Sequence, residues 1–365
     1  MLAPALRYAL PNVLGLIAIT GLLGGGWYLA AATAVIVAVV GVADEAIGDA
    51  PALPGRDGAL LYDTQLYLAA PILIIATAAL MRLVAALAPV GSWPAGAEMA
   101  EAGVAVLLVG YFYALIGATV AHELVHRVRN RWAAVCASIL LAFTFNTSFT
   151  VFHLRGHHRL AARWDDPATA RRGETWLEFF VRTSFEQTAF AFRSETTRLR
   201  REGRNALTPR NRVLRRQAYS AAVLCGAYAT AGLRGLLAFL AAALVGRIAH
   251  ELINYVQHYG VIRAEGAPIL PRHTWSSRRL LSNALHFNLP LHAEHHVDAA
   301  RPFWRLGAIT DGPVLPYGYQ TMAVIALVPF WWRRVMAPHL DAWDRSFASA
   351  NELALLRAYG RDGVY

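Results

Sequence analysis

The sequence predicts an all-α integral membrane protein with about six transmembrane helices and a histidine-rich site gathered at one end of them. Three observations carry this. The 365-residue chain is 56% hydrophobic and only 16% charged, with a mean hydropathy of +0.36, too apolar for a water-soluble enzyme. Its apolar residues come in blocks of spanning length. Its histidines cluster where those blocks end.

Taken in order, spans are predicted over Ala5 to Leu23, Trp27 to Ala43, Gln65 to Leu87, Ala102 to Ala121, Ala218 to Gly232 and Leu236 to Val256. The first block is longer than a signal-peptide core, has no clear cleavage site and runs almost directly into the second, so it reads as a retained helix. Asp44 to Asp63, rich in Gly, Pro and acids, is an inner connection, and Ala88 to Glu98, with two prolines and two glycines, an outer one. Trp132 to Val151 is apolar enough to pass for another span. Crossing there would separate His122 and His126 from His153, His157 and His158, so the segment is expected to be re-entrant or interfacial. Its polar run Thr144, Asn146, Thr147 and Ser148 suits burial in protein. The rest, 153–216 and 260–365, is expected on the cytoplasmic side, and the whole chain forms one membrane-embedded catalytic domain.

Net charge is +10, and every basic residue is Arg. The arginines crowd between Arg155 and Arg216. Beside transmembrane helices the positive-inside rule accounts for them without nucleic acid, and places this loop in the cytoplasm against lipid headgroups. Counting spans then brings all the clustered histidines to the same face. Cys136 and Cys225 both lie in apolar stretches, so neither a disulfide framework nor a cysteine zinc site is indicated.

Nine histidines form the candidate site: His122 and His126 in H-E-L-V-H, His153, His157 and His158 in H-L-R-G-H-H, His258 in N-Y-V-Q-H, and His292, His295 and His296 in H-A-E-H-H. Neutral imidazole is the commonest metal ligand, and so many at the ends of apolar helices serve no purpose without metal. A nitrogen-rich set without cysteine suits a pair of irons. On an ideal helix His122 and His126 share a face. His153 and His157 do likewise, with His158 turned about 100° towards a second metal, and His292 and His295 pair by an i, i+3 step with His296 turned away. Glu123 and Glu294, inside the clusters, are placed to accept the second ring N–H of a ligand, and equally to be solvated charges at helix ends. Asn254 is placed to orient His258 or a neighbour. Asp165 and Asp166, before Pro167, read as a turn. His250, His273, His286 and His339 read as ordinary hydrogen-bonded histidines, with His273, near Trp275, the first of them to take an outer role at the metals.

These boxes, in this order, resemble the membrane di-iron alkane 1-monooxygenases and the hydroxylase component of xylene monooxygenase. The matching text includes H-E-L-V-H-R from His122, G-H-H-R with D-P-A-T-A-R-R-G-E from Asp166, N-Y-V-Q-H-Y-G from Asn254, H-A-E-H-H, and L-P-Y-G-Y from Leu315. The resemblance implies a multi-pass protein of a bacterial-type inner membrane. It would hold two non-haem irons and use O₂ to hydroxylate an unactivated methyl C–H, terminal or benzylic, of a hydrophobic substrate. Electrons would come from a rubredoxin or ferredoxin-type partner and its NAD(P)H reductase, in keeping with the lack of a G-x-G-x-x-G dinucleotide motif between strand and helix. Phe152 and Gln257 stand where alkane hydroxylases usually carry Glu. Xylene-type enzymes share the first departure, the chain length and the D-x-W-D segment Asp341 to Asp344.

The third cluster also resembles membrane fatty-acid desaturases, which makes desaturation on the same scaffold the nearest rival. A metal transporter would carry its ligands at mid-bilayer, and a zinc peptidase would need only His122, Glu123, His126 and one further ligand.

Overall fold

A computed structural model describes residues 5–49, 58–88, 92–307 and 311–359. The expected connections over Asp44 to Asp63 and Ala88 to Glu98 lie partly outside them, at 50–57 and 89–91. The described chain is helical, with only two isolated β-bridges. Helices long and apolar enough to cross a membrane are α1 (Arg7–Gly24), α2 (Gly26–Ile47), α3 (Ala59–Ala86), α4 (Ala97–Val125) and the 47-residue element α8 (Arg212–His258). The chain is a membrane protein. Between α4 and α8 lie α5 (Arg131–Ala142), a mixed helix α6 over 149–160 and α7 (Trp176–Arg201). After α8 come α9 (Leu280–Leu285), α10 (His292–Val297), α11 (Tyr319–Ala326), α12 (Pro329–Ser346) and α13 (Ala350–Ala358).

The six predicted spans map onto these five elements because the last two fall on α8. As one straight rod its 47 residues would reach about 70 Å, over twice the bilayer core. It is not straight. Ala231 and Gly232 leave helical geometry, Gly232 with φ of +59°, a conformation that favours glycine. A Cβ on Gly235 would lie 2.6 Å from the Ala227 carbonyl oxygen, although residues eight apart in a continuous helix are separated by about 12 Å. The chain therefore folds back at Gly232, and the predicted segments 218–232 and 236–256 occupy its two arms.

The second arm of α8 carries His258 at its end and packs on α4, which carries His122. Two glycines permit the close approach. A Cβ on Gly110 would meet the Ala242 carbonyl at 2.6 Å, and one on Gly246 would meet the Tyr113 Cβ at 2.7 Å. Just beyond this crossing α4 widens into a π-helical turn over Tyr113–Ala118, a local form that recurs at functional sites.

With 12 residues, α5 is too short to cross a bilayer. It starts at Asn130, whose side-chain oxygen caps the amides of Trp132 and Ala133, and the chain reverses through 143–148 before entering α6. The polar run at the reversal is buried. Asn146 meets His250 Nδ1 at 3.3 Å and Ser148 meets Thr188 at 3.4 Å. By turning back, the segment returns His153 to the end of α4, where its Nε2 lies 3.0 Å from that of His126.

Candidate metal centre

The nine motif histidines meet at one place, in two adjoining groups. His122, His126, His153, His158 and His295 offer ring nitrogens all within 4.8 Å of one another, and His157, His258, His292 and His296 do the same. The groups touch: the rings of His158 and His296 have centroids 4.7 Å apart, and those of His157 and His158 5.8 Å.

The pairing of His122 with His126 follows the α-helical spacing, whereas the other two clusters divide differently from the ideal-helix expectation. Residues His153–His157 form a π-helical turn. Its wider winding brings His153 and His158 to one group, with Nε2 atoms 2.9 Å apart, and sends His157 to the other. In α10 it is His292 and His296, at i and i+4, that share a group at 3.0 Å, with His295 directed to the first.

The contacts are tip to tip. His153 Nε2 faces the Nε2 of both His126 and His158, and His292 Nε2 faces those of His258 and His296, at 2.9 to 3.0 Å. A neutral imidazole carries one N–H, so three converging rings cannot satisfy one another. A cation between them can. Metal–nitrogen bonds of about 2.1 Å at right angles would put neighbouring nitrogens about 3.0 Å apart. His122 Nε2 is buried in the first group with no hydrogen-bond partner. Burial, with repulsion from neighbouring imidazoles, holds His153, His292, His295 and His296 well below the usual histidine range, and burial brings His126 down to about 3. All five are thereby kept neutral, the form that ligates metal. The residues fit a pair of metal ions.

The outer partners differ from those expected. Glu123 pairs with Arg127 at 3.4 Å, and Arg127 reaches Asp63 at 2.8 Å, so this carboxylate touches no ring nitrogen. Glu294 accepts from Arg301 and from the Gly307 amide. Glu123 is met by an arginine at i+4, and Glu294 by Arg301 and a backbone amide that local spacing does not reveal. Asn254 donates to Glu251 at 3.0 Å, within a buried network that also includes Arg247 and Gln187, rather than to His258. His273 sits in a separate cluster, 2.7 Å from Glu352. The carboxylate that does engage a candidate ligand is Asp166, at 2.9 Å from His157 Nδ1. It also accepts from the Thr169 hydroxyl and the Ala168 amide, so the turn read from Asp-Pro is real and carries a second duty. Its only sequence signal is its place eight residues after a ligand pair.

Beside the first group lies a pocket walled by Ala114, Ala118, Ile253 and Leu289, with His122, His250 and His286 among its polar lining. His286 is held between the Thr119 hydroxyl at 3.3 Å and Gln320 at 2.7 Å. Gln257 donates to the Tyr319 hydroxyl at 3.1 Å.

Residues 100–340, which include every histidine of both groups, match the family model described as fatty acid desaturase. The chain belongs to that family. It is 34% identical over 243 residues to alkane 1-monooxygenase 1 of Pseudomonas aeruginosa, covering 65% of this chain and 63% of that one. To alkane 1-monooxygenase 2 of the same organism it is 35% identical, over 65% and 64%. The xylene/toluene monooxygenase hydroxylase component XylM of Pseudomonas putida is 28% identical over 66% of this chain and 64% of its own. The matches thus span just under two thirds of these relatives' length.

Proposed function

We propose that the protein is an O₂-dependent di-iron monooxygenase that hydroxylates an unactivated methyl C–H, terminal or benzylic, of a hydrophobic substrate. The observation that carries this is the convergence of nine buried or partly buried imidazoles in two touching groups beside a pocket. Its similarity to alkane 1-monooxygenases and XylM points to the same chemistry. His122, His126, His153, His158 and His295 would hold one iron, and His157, His258, His292 and His296 the other. Bound there, the iron pair supplies the redox chemistry that activates O₂.

The chain's residues do the rest. Asp166 fixes the tautomer of His157, keeping its Nε2 free for metal. Ala114, Ala118, Ile253 and Leu289 give the pocket next to His122 its apolar wall, the side on which a hydrophobic substrate would lie. The balanced reaction consumes substrate, O₂, two electrons and two protons, and yields an alcohol and water. The electrons come from a rubredoxin or ferredoxin-type partner. His126 and His158 are the partly exposed members of the first group, whereas the second group is buried throughout, which favours electron entry at the first. The concentration of arginines between Arg155 and Arg216 supports a cytoplasmic face for this end, in a bacterial-type inner membrane.

The test is incubation of membranes containing the protein, with a competent reductase system, with ¹⁸O₂ and a panel of alkanes, alkylarenes and fatty acids. Labelled alcohol is the expected product. An alkene without label would assign the site to desaturation.

A further inference from the structure

Three helices beyond the spans carry apolar faces that nothing among the described residues covers. On α7, Leu177, Val181 and Phe185 follow one another at i, i+4 and i+8, and all are exposed, Phe185 by 75%. The opposite face of the same helix is buried through Phe179, Thr183 and Gln187. Around the junction of α11 and α12, Val324 is 63% exposed and Phe330 67%, with Leu327, Val328 and Trp331 exposed beside them. The two patches adjoin, because the Trp176 indole N–H donates to the Leu327 carbonyl at 3.1 Å.

This surface continues that of the spans. The chain entering α11 is tied to the end of α2, the Gly318 amide donating to Glu45 at 2.8 Å, and α11 packs on both the end of α2 and α8. On α2 itself Val35, Val37 and Val42 are exposed, as a lipid-facing helix requires. The patch therefore starts where the spans leave the bilayer. Its edges carry the groups found at that depth: Trp331 is followed by exposed Arg333 and Arg334.

We propose that α7 and the α11–α12 junction lie in the membrane surface, with Leu177, Val181, Phe185, Val324, Phe330 and Trp331 immersed in the acyl region of one leaflet. The segments outside the spans are then not free in water, as hydropathy alone suggests, but clasp the bilayer beside the histidine groups.

Nitroxide labels report this in the full chain reconstituted into phosphatidylethanolamine–phosphatidylglycerol vesicles. Labels are attached singly through Val181→Cys, Phe185→Cys and Trp331→Cys, in a background of Cys136→Ala and Cys225→Ala, with Arg193→Cys and Arg345→Cys as aqueous controls. Immersion makes collisions with O₂ exceed those with a water-soluble nickel chelate at the three apolar sites and reverses the ratio at the controls. Nickel accessibility equal to the controls at the apolar sites overturns the proposal. Low accessibility to both reagents there assigns the face to a second protein and overturns it equally. Should one label disturb folding, seen as loss of a single size-exclusion peak, Leu177→Cys and Phe330→Cys read the same two patches.

Discussion

Asp166 Oδ2 lies 2.9 Å from His157 Nδ1, and both side chains are almost wholly buried. Among the four histidines of the second group, His157 is the one braced by a carboxylate, whereas the Nδ1 atoms of His258, His292 and His296 have no hydrogen-bond partner. Such a carboxylate makes a histidine a stronger and better-aimed ligand.

Replacing Asp166 by Asn should therefore weaken metal binding in the four-histidine group by about 10- to 100-fold. Dialysis of purified protein against graded chelator, followed by metal analysis, reads the effect directly. Equal retention by the Asp166→Asn variant and the parent would make Asp166 a turn residue only.

The division into groups yields a second prediction. His153→Ala and His292→Ala each remove the ring at the middle of one group, so each should deplete one metal and leave much of the other. His250→Ala changes a pocket wall held by Asn146 and should leave both metals bound. Metal-to-protein ratios in the three variants check this. Loss of both metals on His250→Ala would contradict the assignment.

The nine histidines were legible as a set because three clusters ended at apolar blocks. Their division was not, since helical-wheel reasoning assumes 3.6 residues per turn and the π-helical turn at His153–His157 shifts the register. Asp166 was read as turn-forming because Asp-Pro makes turns wherever it occurs. In place of the two readings open for Glu123 and Glu294, the structure shows ion pairs: Arg127 at i+4 was within reach of local spacing for Glu123, but the added Asp63 and the pairing of Glu294 with Arg301 were not. Helix positions followed hydropathy closely, and the reversal at Gly232 was marked only by a short apolar gap.

A third prediction concerns the tail. Glu352 accepts from His273 at 2.7 Å and from Arg272 at 3.2 Å, and caps α13 through the Ser349 amide at 2.7 Å. Burial raises its carboxyl, but these hydrogen bonds outweigh it and bring the carboxyl down to about 2. A depressed carboxylate contributes stability in full above its unfolded value of about 4.5, lost only as pH falls towards the folded one. Glu352→Ala should thus cost about 1–3 kcal/mol, equally at pH 6 and pH 8. Unfolding of detergent-solubilised protein measures it. A penalty that vanishes by pH 6 would show that the carboxylate is not held ionised in this way.

Arginines on the outer face of α7 offer a fourth test. Arg198 is locked by Glu195 and Glu202, both at 2.8 Å, so reversing its charge would break a structural cluster. Arg193, Arg200 and Arg201 are exposed and suit the test better. If they steer an acidic electron donor, Arg200→Glu with Arg201→Glu should slow donor-dependent turnover and flatten its decline with salt. Turnover and salt response unchanged in correctly inserted protein would leave these residues a topology signal.

Iron in each of the two histidine groups is what the proposed hydroxylation requires. Metal analysis of purified, active protein tests it most directly. Two irons per chain are expected, falling together with activity as chelator removes them; one zinc and no iron in active protein would rule the assignment out.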